Sequence, residues 1–180
     1  LHRKVEQQIL RGAVEPHQPA QNGSRNALDA TQLVGDRTDD DRPIPLGVAD
    51  IKRPGRDLTI VATALMLHRS LKVAEQLARN EGIEAEVIDP RSIVPLDQAT
   101  ILASVRKTGR LVIVHEAWKT GGSGAEIAAI VAEEAFAALK APIVRVAPRH
   151  LPIPFSTPLE KLFIPDENRI LEGVRRVLAD

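Results

Sequence analysis

Apolar and polar positions change in blocks along the chain, and the blocks read as alternating strands and helices. Leu58-Thr59-Ile60-Val61-Ala62-Thr63 is an apolar, β-branched run bounded upstream by Pro54-Gly55, which predicts a buried strand. Leu67, Leu71, Ala74 and Leu77 then recur at helical spacing, so a helix is expected over Leu67 to Arg79, with Gly82 placed to stop it. Glu86-Val87-Ile88 predicts the next strand. Pro95-Leu96-Asp97 opens a second helix in which Asp97 is the N-cap, Ile101, Leu102 and Val105 face inward, and Gly109 lies just past the end. Leu111 to Val114 has no polar interruption, which suits a central parallel strand covered on both faces.

A third helix over about Gly124 to Leu139 turns Ile127, Ile130, Val131, Ala135 and Leu139 inward, and Ile143 to Val146 makes a fourth strand. Pro148, Pro152, Pro154 and Pro158 forbid regular structure until Leu159. Asp166 to Leu178 closes the chain as a helix with Ile170, Leu171, Val174 and Val177 inward. The order β-α-β-α-β-α-β-loop-α predicts an open, mostly parallel sheet between two helix layers.

Residues 1–41 differ in character. Gln18 to Arg25 and Asp36 to Asp41 are polar and turn-forming, so this stretch reads as a poorly ordered extension, with one short amphipathic helix expected around Val5, Ile9 and Leu10. The folded domain is expected over residues 42–180, its first ordered positions falling between Pro43 and Val48. Residue 1 is Leu and no leader pattern follows it, which reads as a fragment or processed chain.

Composition narrows the chemistry. The 180 residues carry 24 basic and 24 acidic side chains, so the footprint of a protein that lives on phosphate backbones is absent and nucleic acid is not the expected partner. Zero cysteine excludes disulfides, thiolate metal sites and a thiol nucleophile. The apolar runs are short and broken by charge, so no membrane span is expected.

In open α/β sheets ligands bind beyond the carboxyl ends of the strands, here Asp89-Pro90-Arg91, His115-Glu116 and Pro148-Arg149-His150. His115-Glu116 lacks the second histidine of a zinc helix, position 119 being Lys. Gly121-Gly122-Ser123-Gly124 lies between strand and helix, but Ala125 stands where a nucleophile turn needs glycine. Those glycines fit either an anion cradle at the helix start or a tight turn that lets helix pack on strand. His115-Glu116 likewise fits either a functional role or a structural ion pair.

Five blocks in order carry a resemblance. Pro45 to Val61, Glu86 to Asp97 (Glu-Val-Ile-Asp-Pro-Arg-Ser-Ile-Val-Pro-Leu-Asp), Lys107 to Ala117, Thr120 to Ile127 and Pro152-Ile153-Pro154-Phe155 are similar to the C-terminal domain of 2-oxoacid dehydrogenase β subunits. The resemblance implies a transketolase C-terminal-like fold: three layers, α/β/α, around a five-stranded, mostly parallel sheet with one antiparallel strand. It implies membership of an α2β2 heterotetramer, a bacterial cytoplasmic pyruvate or related 2-oxoacid dehydrogenase dependent on thiamine diphosphate and magnesium. Nothing in Leu1 to Asp41 resembles the pyrimidine-binding domain that precedes this one in the family. The isolated chain is therefore expected to bind neither cofactor, to hold no catalytic or metal-ligating residue, and to be inactive alone.

The implied partners are the α subunit, a second β subunit, and the basic subunit-binding domain of the acyltransferase core. His115, Glu116, Thr120, Gly121 and Gly122 are expected to form a loop facing the subunit interface. Lys140 and the terminal helix, to Asp180, are expected to form the docking end. Where the family carries an acidic residue in a Leu-Asp-Ala-Pro stretch, this chain reads Leu139-Lys140-Ala141-Pro142, and reversing one charge of an interface pair costs several kcal/mol. Two further departures are Ser123, where Phe often follows the glycine pair, and Arg149-His150, where Gly or Ala with Asp is usual. Two other readings compete: an autonomous small-ligand or nucleotide-binding domain using Asp89, Arg91, His115 and Glu116, and a hydrolase using Ser123 and His115.

Overall fold

A computed structural model describes residues 45–179. The helix expected around Val5, Ile9 and Leu10 lies outside the described residues, as does Asp180. The strands are β1 (Asp50–Arg53), β2 (Leu58–Ala62), β3 (Ala85–Asp89), β4 (Leu111–Val114) and β5 (Val144–Val146). The helices are α1 (Ala64–Glu81), α2 (Gln98–Thr108), α3 (Ser123–Glu134), α4 (Thr157–Phe163) and α5 (Glu167–Leu178).

The five strands form one sheet in the order β1-β3-β2-β4-β5. Every pairing is parallel except β1 with β3. Side chains alternate across the strands, and the two faces bury separate cores. Ile60, Val112 and Val114 join Met66, Val73 and Leu77 of α1 and Ile170, Val174 and Val177 of α5. Val61, Leu111 and Ile113 join Ile101 and Val105 of α2 and Ile127 and Val131 of α3 on the other face. The three-layer α/β/α architecture with a five-stranded, mostly parallel sheet is thus the one expected.

Helix ends follow the local chemistry. Asp97 accepts from Thr100 N at 3.0 Å and caps α2; Asp166 accepts from Arg169 N at 2.9 Å and caps α5. Gly82 ends α1 with φ 68°, a left-handed conformation open to glycine at no steric cost.

Several boundaries differ from the sequence expectation: helix α1 runs Ala64–Glu81 where Leu67 to Arg79 was expected, and three further elements depart from it. The third helix stops at Glu134, because Ala135 takes φ −140° and a short 3-10 turn, Phe136–Ala138, follows. The proline segment contains α4, begun two residues before Leu159, because Pro158 occupies the first turn, where a missing N–H costs nothing. Strand β1 is extended through Asp-Ile-Lys-Arg, which has no apolar period, and owes its conformation to pairing with β3. No helix among the described residues is long and apolar enough to cross a membrane.

Candidate functional site

The carboxyl ends of β4 and β5 lie side by side, with Val114 opposite Val146. Beyond them the two exit segments stay tied. His115 N donates to Val146 O at 3.2 Å, Lys119 N to Pro148 O at 3.1 Å, and Arg145 Nη1 to Lys119 O at 2.8 Å. Trp118 and His150 each stand four residues beyond the paired valines, and their rings meet with centroids 4.5 Å apart.

His115 turns inward beneath this loop and is only 2% exposed. Its ring lies against the first turn of α3: a Cβ placed on Gly124 would come 2.3 Å from His115 Nε2, and one on Gly122 would come 2.9 Å from Cε1. Neither ring nitrogen has a hydrogen-bond partner. Burial pushes the imidazole pKa below its usual value; the backbone of Ala117 pulls weakly the other way, and the Arg145 charge adds to the depression. A neutral, closely packed ring is the result.

The remaining residues of the expected loop divide by exposure. Glu116 is half-buried, Thr120 and Gly121 are exposed, and Gly122 is half-buried at the start of α3. The structure therefore brings His115, Glu116, Thr120, Gly121 and Gly122 into one loop, with His115 as its floor. The glycines at 122 and 124 let the imidazole approach the helix.

Lys140 lies at the opposite end of the sheet. Its aliphatic stem covers Gly109, whose missing Cβ would otherwise meet Lys140 Cδ at 2.7 Å, and its ammonium reaches Thr108 O, the last carbonyl of α2, at 3.5 Å. The final turn of α5 reaches the same end, since Arg110 Nε donates to Val177 O at 2.8 Å. Lys140 and the end of the terminal helix thus lie at the same end of the sheet.

The competing constellations are not assembled. Asp89 and Arg91 bond each other, and Arg91 reaches Asp50 Oδ2 at 2.7 Å, in a cluster that anchors β1. Strand β2 stands between that cluster and His115, a separation on the order of 10 Å. Ser123 makes no hydrogen bond to His115, whose nitrogens are unpartnered. Among the described residues no three His, Asp or Glu side chains come close enough to hold a metal ion. The Trp118–His150 pair escaped the sequence reading; equal offsets from two adjacent, in-register strands were the signal for it.

Comparisons with known proteins match this fold. The family described as "Transketolase, C-terminal domain" matches residues 47–170. The chain is 49% identical over 135 residues to the β subunit of acetoin:2,6-dichlorophenolindophenol oxidoreductase from Cupriavidus necator, covering 75% of this chain and 40% of that one. It is 48% identical over 135 residues to the pyruvate dehydrogenase E1 component β subunit from Rickettsia felis, covering 75% and 41%. A mitochondrial counterpart from Arabidopsis thaliana is 50% identical over 133 residues, covering 74% and 36%. Among solved structures, a split-gene transketolase described as an inactive β4 tetramer superposes with a TM-score of 0.69 at 28% identity, covering 81% of this chain and 46% of that one. The chain spans about two fifths of the length of the curated relatives it matches.

Proposed function

The chain belongs to the transketolase C-terminal domain family, and from that premise we propose that residues 42–180 are the C-terminal domain of a 2-oxoacid dehydrogenase β subunit, working in the bacterial cytoplasm on pyruvate or a related 2-oxoacid. The domain assembles subunits instead of transforming a substrate. Its loop from His115 to Gly122 faces the α subunit or a second β subunit, and the end bearing Lys140 and the last turn of α5, through Asp180, docks the acyltransferase core. An acetoin-linked β subunit at 49% identity and a pyruvate dehydrogenase one at 48% put acetoin beside pyruvate as the alternative substrate of such an assembly.

The observation that carries this reading is an apolar belt after β5. Leu151, Ile153, Phe155, Leu159 and Leu162 are all exposed, and Phe155 is as open as in an extended chain, at 106%. Successive exposed apolar side chains of this size mark a surface that a partner covers.

Thiamine diphosphate and magnesium belong elsewhere in the assembly on this reading. The described residues do not fit them: no cluster of three metal-ligating side chains is present, and the His115 ring stands against the start of α3. No step is routed through this domain.

Co-purification tests the proposal. The tagged 180-residue chain, co-expressed with an α subunit of a 2-oxoacid dehydrogenase from the same organism, is expected to retain that subunit through gel filtration, and Leu162→Asp is expected to release it. A monomeric chain that ignores the α subunit and turns over a 2-oxoacid unaided overturns the reading.

A further inference from the structure

The edge of the sheet at β5 opens into a groove between that strand and α5. The groove, about 260 Å³, is walled by β5 and the residues after it on one side and by α5 on the other. Five cations line it, Lys119, Arg145, Arg149, Arg169 and Arg176, against the single carboxylate Glu172. None of the five has an ion-pair partner among the described residues, whereas Lys52, Arg53, Arg79, Arg91, Lys107 and Arg175 elsewhere on the domain are paired.

Two of these cations are fixed in place by the fold. Arg145 Nη1 donates to Lys119 O at 2.8 Å; Arg169 donates to Phe163 O at 3.2 Å and to Ala147 O at 2.8 Å. Lys119, Arg149 and Arg176 are exposed, and their side chains make no hydrogen bond among the described residues. Arg169, Glu172 and Arg176 share one face of α5, spread along about 10 Å of helix. The charge therefore forms a line and does not converge on a point.

The strand edge beside that line is unpaired. β5 bonds only to β4, and Val146 O accepts from His115 N. Alternate residues of a strand direct their backbone groups to opposite sides, so the N–H and C=O of Arg145 face the open edge. A second cavity, about 440 Å³, shares Arg149 and Arg169 with the groove and is lined by Leu151, Leu159, Leu162 and Phe163. The basic groove thus leads into an apolar one.

We infer that this edge receives an extended acidic segment of a partner protein, which pairs along β5, sets its carboxylates against Lys119, Arg149 and Arg176, and buries an apolar side chain among Leu159, Leu162 and Phe163. Strand addition supplies backbone bonds, the linear charge supplies steering, and the apolar cavity supplies the anchor. The near-absence of aromatic residues and the balanced charge of the whole chain favour carboxylates over a nucleic-acid backbone. The inference goes beyond the assignment to a β subunit, and the groove takes Lys119 from the interface loop and Arg176 from the last turn of α5.

Fluorescence anisotropy on the 180-residue chain tests it. The probe is a labelled eight-residue peptide alternating aspartate with valine and ending in leucine; the control carries asparagine for aspartate. The aspartate peptide is expected to bind at least about tenfold more tightly, and to lose most of that advantage between about 50 and about 300 mM salt. Arg149→Glu, at an exposed position outside both the His115–Gly122 loop and the last turn of α5, is expected to weaken binding severalfold with the circular dichroism spectrum and the oligomeric state unchanged. Equal binding of both peptides, complete displacement by equimolar inorganic pyrophosphate, or tighter binding of a twelve-residue oligothymidylate would each overturn the inference. Because Arg149→Glu is read with oligomeric state held as a separate measurement, failure here leaves the assembly reading standing.

Discussion

His115 is a titratable ring held where a proton is costly to accept. It is buried, unpartnered at both nitrogens, and pressed against the positive end of α3, and its pKa lies below the ordinary value of 6.5. The unfolded chain therefore takes up a proton at a higher pH than the folded one. Stability from this residue is complete above the unfolded value and falls as the pH drops through 6.5 toward the depressed folded value. Denaturant midpoints measured from about pH 8 to about pH 5 should decline, and His115→Leu should flatten that decline while changing stability at about pH 8 by less than roughly 1 kcal/mol, since it also removes two unsatisfied nitrogens. A slope unchanged in the variant would assign the pH dependence elsewhere. Gly124→Ala tests the same packing from the helix side. The new methyl would meet Nε2 at 2.3 Å, so a loss of about 1–3 kcal/mol is expected, and it should shrink in the His115→Ala background because the ring is the obstacle. The sequence placed His115 at a strand end correctly, yet burial and the facing glycines are tertiary facts that no spacing along the chain encodes.

At the scale of elements, the buried runs were legible and the exposed ones were not. β2 and β4 are buried throughout and are continuous in apolar residues, so their pattern and their environment say the same thing. β1 and α4 bury little, so no hydrophobic period announces them; one depends on a partner strand and the other on a first-turn proline. Lys140 illustrates how an element end can claim a residue that was read as a docking contact. Its stem covers Gly109, whose φ of 77° ends α2, and its ammonium faces the negative end of that helix. Lys140→Asp would restore the family's acidic residue while placing a carboxylate beside a helix carboxyl end, so it should cost about 1 kcal/mol in denaturant unfolding even if docking improves. Glu86 on β3 makes a second case. It is 2% exposed; burial pushes its pKa up, but Lys107, Ser104 and the Gly55 N–H together outweigh that and hold it below the usual carboxylate value. Lys107→Met should leave a buried charge short of its partner and destabilise the domain by about 1–2 kcal/mol, less than for a fully buried pair because Lys107 is half exposed.

At the scale of the whole molecule, the two helix layers satisfy the sheet, and a run of exposed apolar side chains from Leu151 to Leu162 lies beyond β5, beside scattered ones at Leu46, Val94 and Phe136. A domain that closed on itself would fold the segment from Leu151 to Leu162 inward, but prolines keep its first half extended, and α4, which carries Leu159 and Leu162, has no buried residue. The apolar side chains are therefore held out by the backbone and are available to a neighbour. Covering one such side chain contributes about 1.5–3 kcal/mol, which corresponds to roughly ten- to hundredfold in an association constant. Phe155, at 106% exposure, and Leu162, at 79%, contribute nothing measurable to the interior, so their replacement by serine should leave thermal stability within about 0.5 kcal/mol while weakening association by at least about tenfold for each. Concentration-dependent light scattering of the chain, alone and with the proposed α subunit, reads that effect directly. If Phe155→Ser and Leu162→Ser both leave association constants untouched, the belt is not the contact, and the assembly must be sought through the loop above His115 instead.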